Sequence, residues 1–148
     1  MTDFADALVA ELAKKSGLVW ISYGGKAHPV WHEWVDDAVC VVTGAGEQPL
    51  PGIEAQTTVT LLLRSKTTRF LIAEAEATVE VITPASEHWD AVTSALQTGR
   101  LNLHDRDNAV ERWGREATVV RLVPTGVIAG ADDIPTAIGQ SLPHLSKR

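Results

Sequence analysis

Cysteine is almost missing from this chain: Cys40 is the only one among 148 residues. An intrachain disulfide is therefore excluded, and a hydrophobic core must hold the fold together. A length of 148 residues is that of one ordinary domain and is enough to build such a core. With no signal-like N-terminus, the lone thiol fits a reducing compartment, and a cytoplasmic location is expected. No apolar run approaches the roughly 20 residues that a membrane helix needs, so no membrane partner is expected. Cations are the minority charge, with 13 Lys and Arg against 19 Asp and Glu and a formal net charge of -6. That balance argues against nucleic acid, whose phosphates need a concentrated basic surface. It leaves room for a small anionic ligand held by a few local cations. Also missing are a G-x-S-x-G elbow, a G-x-G-x-x-G loop and a Walker pattern. Ser/His/Asp hydrolysis and the common nucleotide loops thus gain no support.

What is present reads as globular, with 45% hydrophobic and 22% charged residues. "TDFADALVAELAKKSG" places Phe4, Leu8 and Leu12 at helical spacing, with Lys14 and Lys15 in the last turn and Gly17 beyond. This predicts an amphipathic helix over 3–15 that covers an open face or end of the β-structure C-terminal to it. Three β-type runs come next. Gly24-Gly25 separates "LVWISY" from "KAHPVWHEWV", and Asp36-Asp37 separates the latter from "AVCVVT". Two-residue separators of these types predict tight hairpins and hence a meander. "GAGEQPLPGIEAQ" is a loop; "TTVTLLLR" and "RFLIAEAEATVEVIT" are a fourth and a long fifth strand. In the fifth, Leu71, Ala73, Ala75, Ala77, Val79 and Val81 are expected inward, and Glu74, Glu76, Thr78 and Glu80 on a solvated face. Ser86 is expected to cap a helix over about 87–98 that ends near Gly99. Asp107 is expected to cap a shorter one over about 108–113, stopped at Gly114. "ATVVRLVP" supplies the last strand, about 117–123, and residues 124–148 read as irregular. The sum is one domain over 1–148: a six-stranded antiparallel β-barrel with peripheral helices, its other strands lying within about 18–82.

"GKAHPVWHEW" carries two histidines four residues apart. On a helix, His28 and His32 would share a face at the spacing of zinc-binding pairs. Pro29 and the flanking hairpin signals argue for a strand, where four residues span about 13 Å. Zinc–nitrogen bonds are only about 2 Å, so one metal cannot bridge the pair and no metal site is expected. The turns set registers that pair Tyr23 with Lys26, Ile21 with His28, Val35 with Ala38 and His32 with Val41. One face then carries Val19, Ile21, His28, Val30, His32, Trp34, Val39, Val41 and Thr43. The other carries Leu18, Trp20, Pro29, Trp31, Glu33, Cys40 and Val42. Two imidazoles and two indoles near one wall could cradle a flat aromatic ligand, or could be hydrogen-bonded residues of a core or dimer seam.

The order of elements and the run "PVWHEWVDDAVCVVTGAGEQPLPGIEAQTTVTLLLRSK" resemble the FMN-binding split β-barrel superfamily. That group includes pyridoxamine 5′-phosphate oxidase and the flavin- and deazaflavin-dependent oxidoreductases. The resemblance runs from the first helix to about Val81. It implies a homodimer with two interface clefts, each able to hold FMN or a deazaflavin, and an oxidoreductase acting on a small organic substrate. It maps the isoalloxazine site onto His28, Val30, Trp31 and His32, then Thr43 and Gly44, with His28 or His32 as the catalytic proton donor. The family's phosphate anchor is a Lys/Arg pair just after the third strand. Here that place holds Glu47 and Gln48, so a phosphate would have to be met by Arg64, Ser65, Lys66 and Arg69 instead. The alternatives are a cofactor-free small-molecule binder, a haem binder, and a purely structural dimer on the same fold. Arg100, His104, Asp105, Arg106 and Asp107 read as capping and surface pairing. Cys40 reads as a small core residue.

Overall fold

In a computed structural model, residues 2–15, 18–44, 47–64, 71–99 and 106–129 are described. The chain runs α1 (Thr2–Lys15), β1 (Leu18–Tyr23), β2 (Lys26–Trp31), β3 (Glu33–Val35), β4 (Ala38–Thr43), β5 (Thr58–Arg64), β6 (Leu71–Ile82), α2 (Trp89–Gly99), α3 (Ala109–Glu116) and β7 (Thr118–Ala129). One antiparallel sheet contains all seven strands in the order β2-β1-β5-β6-β7-β4-β3.

That order explains why the sheet curls. β2 and β3 are its two edges, yet only His32 separates them in the chain. Two edges joined by one residue cannot lie at opposite ends of a flat sheet, so the sheet must bend until they meet. The result is a split β-barrel with its seam at His32. The expected meander is cut there, and the expected six strands become seven. His32 is not among the residues paired with β4, so the expected His32–Val41 pair is not formed.

The hairpins form as the turn residues dictate. Gly24 and Gly25 have φ of 59° and 83°, the left-handed pair that a two-residue hairpin turn needs. Tyr23 then pairs with Lys26 and Ile21 with His28. Asp36 and Asp37 adopt the same geometry, with φ of 49° and 63°, and Val35 pairs with Ala38. Asp tolerates this region better than most residues that carry a Cβ.

Two cores sit on opposite faces of the sheet. Val19, Ile21, Val30, Val39, Val41, Leu61, Ala75 and Leu122 fill the barrel beneath α1. Ala38, Cys40, Val42, Ile82 and Val119 pack against Trp89, Val92 and Leu96 of α2 and Trp113 of α3. All six residues of β4 are buried, in keeping with the apolar run Ala38–Val42 and the internally bonded Thr43.

Several boundaries differ from the sequence pattern. Val81 is exposed while Ile82 is buried, because α2 and α3 cover the opposite face of β6 at that end. Glu80 keeps part of its side chain in water but is not merely solvated: it accepts from Arg121 Nε at 3.0 Å, and Arg121 is itself buried. Ser86 Oγ accepts from Thr83 N at 2.9 Å, closing the turn before α2 rather than capping it. Asn108, not Asp107, precedes α3, and no side chain caps it there. Gly114 lies inside α3, where a Cβ would come within 3.1 Å of Pro84; it permits close packing rather than ending the helix. β7 continues past Pro124 to Ala129. The register shifts between Ala75 and Ala77 opposite it, and Gly126, with φ of 98°, absorbs the bulge.

Candidate functional site at the barrel seam

The seam is built by side chains that replace missing strand partners. Gln48 places its amide against the Trp31 backbone: Trp31 N donates to Gln48 Oε1 at 2.8 Å, and Gln48 Nε2 donates to Trp31 O at 2.7 Å. A side-chain amide thus makes both bonds of one ladder step at the end of edge strand β2. His32, one residue on, is 3% exposed. Its Nε2 lies 2.9 Å from Ala13 O at the end of α1, and since a carbonyl only accepts, Nε2 carries the proton. Nδ1 is then a buried lone pair with no partner among the described residues. Burial lowers the His32 pKa, partly opposed by the bond to Ala13. The ring is therefore a neutral strut between seam and helix.

The loop after β4 is also turned inward. Gly44, with φ of 86°, makes a tight turn in which Glu47 N donates to Gly44 O at 2.8 Å. Leu50 N donates to Thr43 Oγ1 at 3.0 Å, and Thr43 is buried. The Glu47 side chain is 4% exposed. Its Oε2 accepts from Trp113 Nε1 at 3.1 Å and from Arg112 Nη2 at 3.5 Å. By sequence Glu47 is a carboxylate that would repel a phosphate. In the fold it clasps α3, and the signal for this role is Trp113, because a buried indole N–H demands an acceptor.

The outer face of β2, β1 and β5 is different in character. Leu18 pairs with Trp31, and Trp20 pairs with Pro29 on one side and Leu62 on the other. Leu18 is exposed, and both indoles are half-buried. The Arg64 guanidinium sits over the Trp20 ring, 5.7 Å from its centroid, a cation–π geometry. This face carries apolar side chains, with Leu18 exposed, Trp31 also packed against the second core, and a cation at one end.

The predicted residues divide between the two faces. Trp31 and Arg64 lie on the indole face, and Gly44 is exposed in the loop that Gln48 ties to Trp31. Val30 points into the barrel core. His28 pairs with Ile21 and stacks on Tyr23, ring centroids 4.9 Å apart, on the opposite side of the ribbon from Trp20. The expected wall of two imidazoles and two indoles is thus split by strand alternation. Ser65, Lys66 and Arg69 lie outside the described residues, as do Arg100, His104 and Asp105. Cys40 is fully buried, and burial pushes its thiol up to about 12, so it is not a thiolate nucleophile. Among the described residues no group of three or more His, Cys, Asp or Glu could hold a metal ion. No described helix is long and apolar enough to cross a membrane.

A flavin-type cofactor has two parts to fit. Its flat ring system would meet the two half-buried indoles of the outer face. Its phosphate does not match the 44–50 turn, where Glu47 and Gln48 are both turned to internal partners.

No family model matches the chain, and no curated protein matches it by sequence. Solved structures do match. The conserved hypothetical protein Rv2991 from Mycobacterium tuberculosis aligns over 82% of this chain and 81% of its own, at 19% identity and a TM-score of 0.57. HutZ, the haem storage protein from Vibrio cholerae, aligns over 84% and 92%, at 10% identity and 0.57. An F420 reductase aligns over 81% and 94%, at 15% identity and 0.54. These likenesses show the fold: the chain shares its split β-barrel with an F420 reductase, a putative pyridoxamine 5′-phosphate oxidase and an FAD-binding protein.

Proposed function

We propose that this split β-barrel protein binds a flat flavin-type cofactor, FMN or a deazaflavin, on the indole face and acts as an oxidoreductase on a small organic substrate. The observation that carries the reading is the outer face itself: two half-buried indoles on paired strands, with Arg64 over the Trp20 ring. Such a surface suits a planar aromatic ring with an anionic tail. When bound, a cofactor of this class supplies the hydride chemistry, and the protein supplies placement and charge. Trp20 and Trp31 give the stacking surface, and Arg64 gives the counter-charge. Ser65, Lys66 and Arg69 lie just beyond Arg64 in sequence and are proposed to complete the anionic contact. His32 is committed to Ala13, and His28 belongs to the other face, so neither imidazole is assigned a proton transfer here. The exposed Leu18 and half-buried Leu62 extend the apolar surface, and a second copy of the chain is proposed to cover it, leaving the cleft at the interface.

One observation favours a second reading. Glu47 occupies the place of the family's phosphate anchor and is locked inward, as in a split barrel adapted to another small molecule, haem included. The visible spectrum of the purified protein, before and after incubation with FMN, a deazaflavin or haem and then desalting, separates the two. A retained flavin or deazaflavin band supports the first reading. A Soret band alone supports the second, and a colourless protein after all three rules out the cofactor reading.

A further inference from the structure

A cavity of about 330 Å³ lies between α1, β3, the β3–β4 turn and β7, lined by Ala10, Trp34, Asp37, Val123 and Pro124. It is of small-molecule size and is separate from the indole face. Trp34 is half-buried and packs against the barrel core from the strand that carries it. Among the described residues its indole N–H makes no hydrogen bond, and the Asp37 carboxylate has neither an ion pair nor a hydrogen bond. The neighbouring Asp36 differs, since its Oδ2 lies 3.6 Å from His88 Nδ1. The turn therefore gives its two acidic residues different surroundings: Asp36 has a histidine partner, and Asp37 lines the cavity. Among the described residues no cationic side chain lines the cavity. The described residues give its walls an indole, two apolar residues and the methyl group of Ala10, with one negative charge at the rim.

We propose that this cavity is a binding site for an organic ammonium ion with an apolar flank. The indole ring attracts a cation through its quadrupole, Asp37 supplies the opposite charge, and Val123 and Pro124 take the apolar part. A neutral ligand of the same shape gains only the apolar contact. An anionic one meets Asp37, with no cation among the described lining residues to offset the repulsion. Because Asp37 is exposed, the charge contribution falls with added salt.

The test uses the full-length, isotope-labelled chain and two probes of nearly equal shape, 2-phenylethylamine and 2-phenylethanol. The indole N–H resonance of Trp34, identified by its loss in Trp34→Phe, is followed during each titration. Asp37→Asn is the second variant, since Asn accepts the left-handed backbone as readily as Asp. The amine should shift the Trp34 resonance saturably, and the alcohol should bind about five-fold more weakly. Asp37→Asn should weaken the amine about two- to three-fold, leaving the part of its preference over the alcohol that the indole supplies. No saturation by about 50 mM amine, equal affinity for amine and alcohol, or unchanged amine affinity in Asp37→Asn would each overturn the proposal.

Discussion

The Trp113 indole nitrogen donates to the Glu47 carboxylate at 3.1 Å, joining α3 to the loop after β4 across 66 positions of sequence. The Glu47 side chain is 4% exposed, so removing it strands a buried indole N–H and takes one carboxylate partner from Arg112. Glu47→Ala should therefore cost about 2–3 kcal/mol in urea unfolding. Glu47→Gln, which keeps an acceptor, should lose about 1 kcal/mol. Equal stability of all three proteins would show that the clasp contributes nothing.

Gln48 acts on the backbone, so its effect should be local. Gln48→Leu removes both bonds to Trp31 while keeping the side-chain bulk. Amide hydrogen exchange at Trp31 should accelerate about ten-fold, while β4 amides keep their protection. An unchanged Trp31 rate would mean that the seam is held by something else.

The seam also marks where sequence reading stops. Both hairpins and their registers are legible, because Gly24-Gly25 and Asp36-Asp37 are local signals with one favoured geometry. The alternation that assigns Trp20 and Trp31 to one face and His28 to the other comes from those registers. The break at His32 is not legible, since nothing local interrupts "KAHPVWHEWV". It is made by distant partners, Gln48 on Trp31 and Ala13 on His32. The end of β7 is lost for a different reason. Pro124 reads as a strand stop, and only the pairing with β6 reveals a bulge in its place. Glu47 is visible as an anomaly, but its partner on α3 can be supplied only by the fold.

His32 gives the fold a defined response to acid. Burial holds its pKa below the ordinary value of 6.5. Above that pH the ring is neutral in both folded and unfolded chains, and the stability it contributes is complete. As pH falls below 6.5, the unfolded chain takes up a proton that the folded chain refuses until its own lower pKa is reached, so stability drops. The urea midpoint should fall between pH 7.5 and pH 5. In His32→Gln, where the amide can still donate to Ala13 O, the fall should be smaller. Identical pH dependence in the two proteins would remove His32 as the source of the response.

Arg121 and Glu80 should respond with different magnitudes. Arg121 is 6% exposed on the face under α2, with Nε on Glu80 and Nη1 3.5 Å from His88 Nδ1. Glu80→Ala leaves a buried cation short of its carboxylate, although Glu80 is itself partly in water, and should cost about 1–2 kcal/mol. Arg121→Leu removes the buried charge itself and should cost less than about 1 kcal/mol. Chemical denaturation of the pair checks this, and a larger loss in Arg121→Leu than in Glu80→Ala would contradict it.

The most direct measurement is an equilibrium titration of FMN and of a deazaflavin cofactor with the full-length protein, read by quenching of cofactor fluorescence. Saturable binding at one site per chain is predicted, weakened about ten-fold by Trp31→Leu and by Arg64→Ala and unaffected by His28→Ala. Absence of saturable binding by either cofactor, or weakening by His28→Ala alone, would contradict a ligand seated on the indole face.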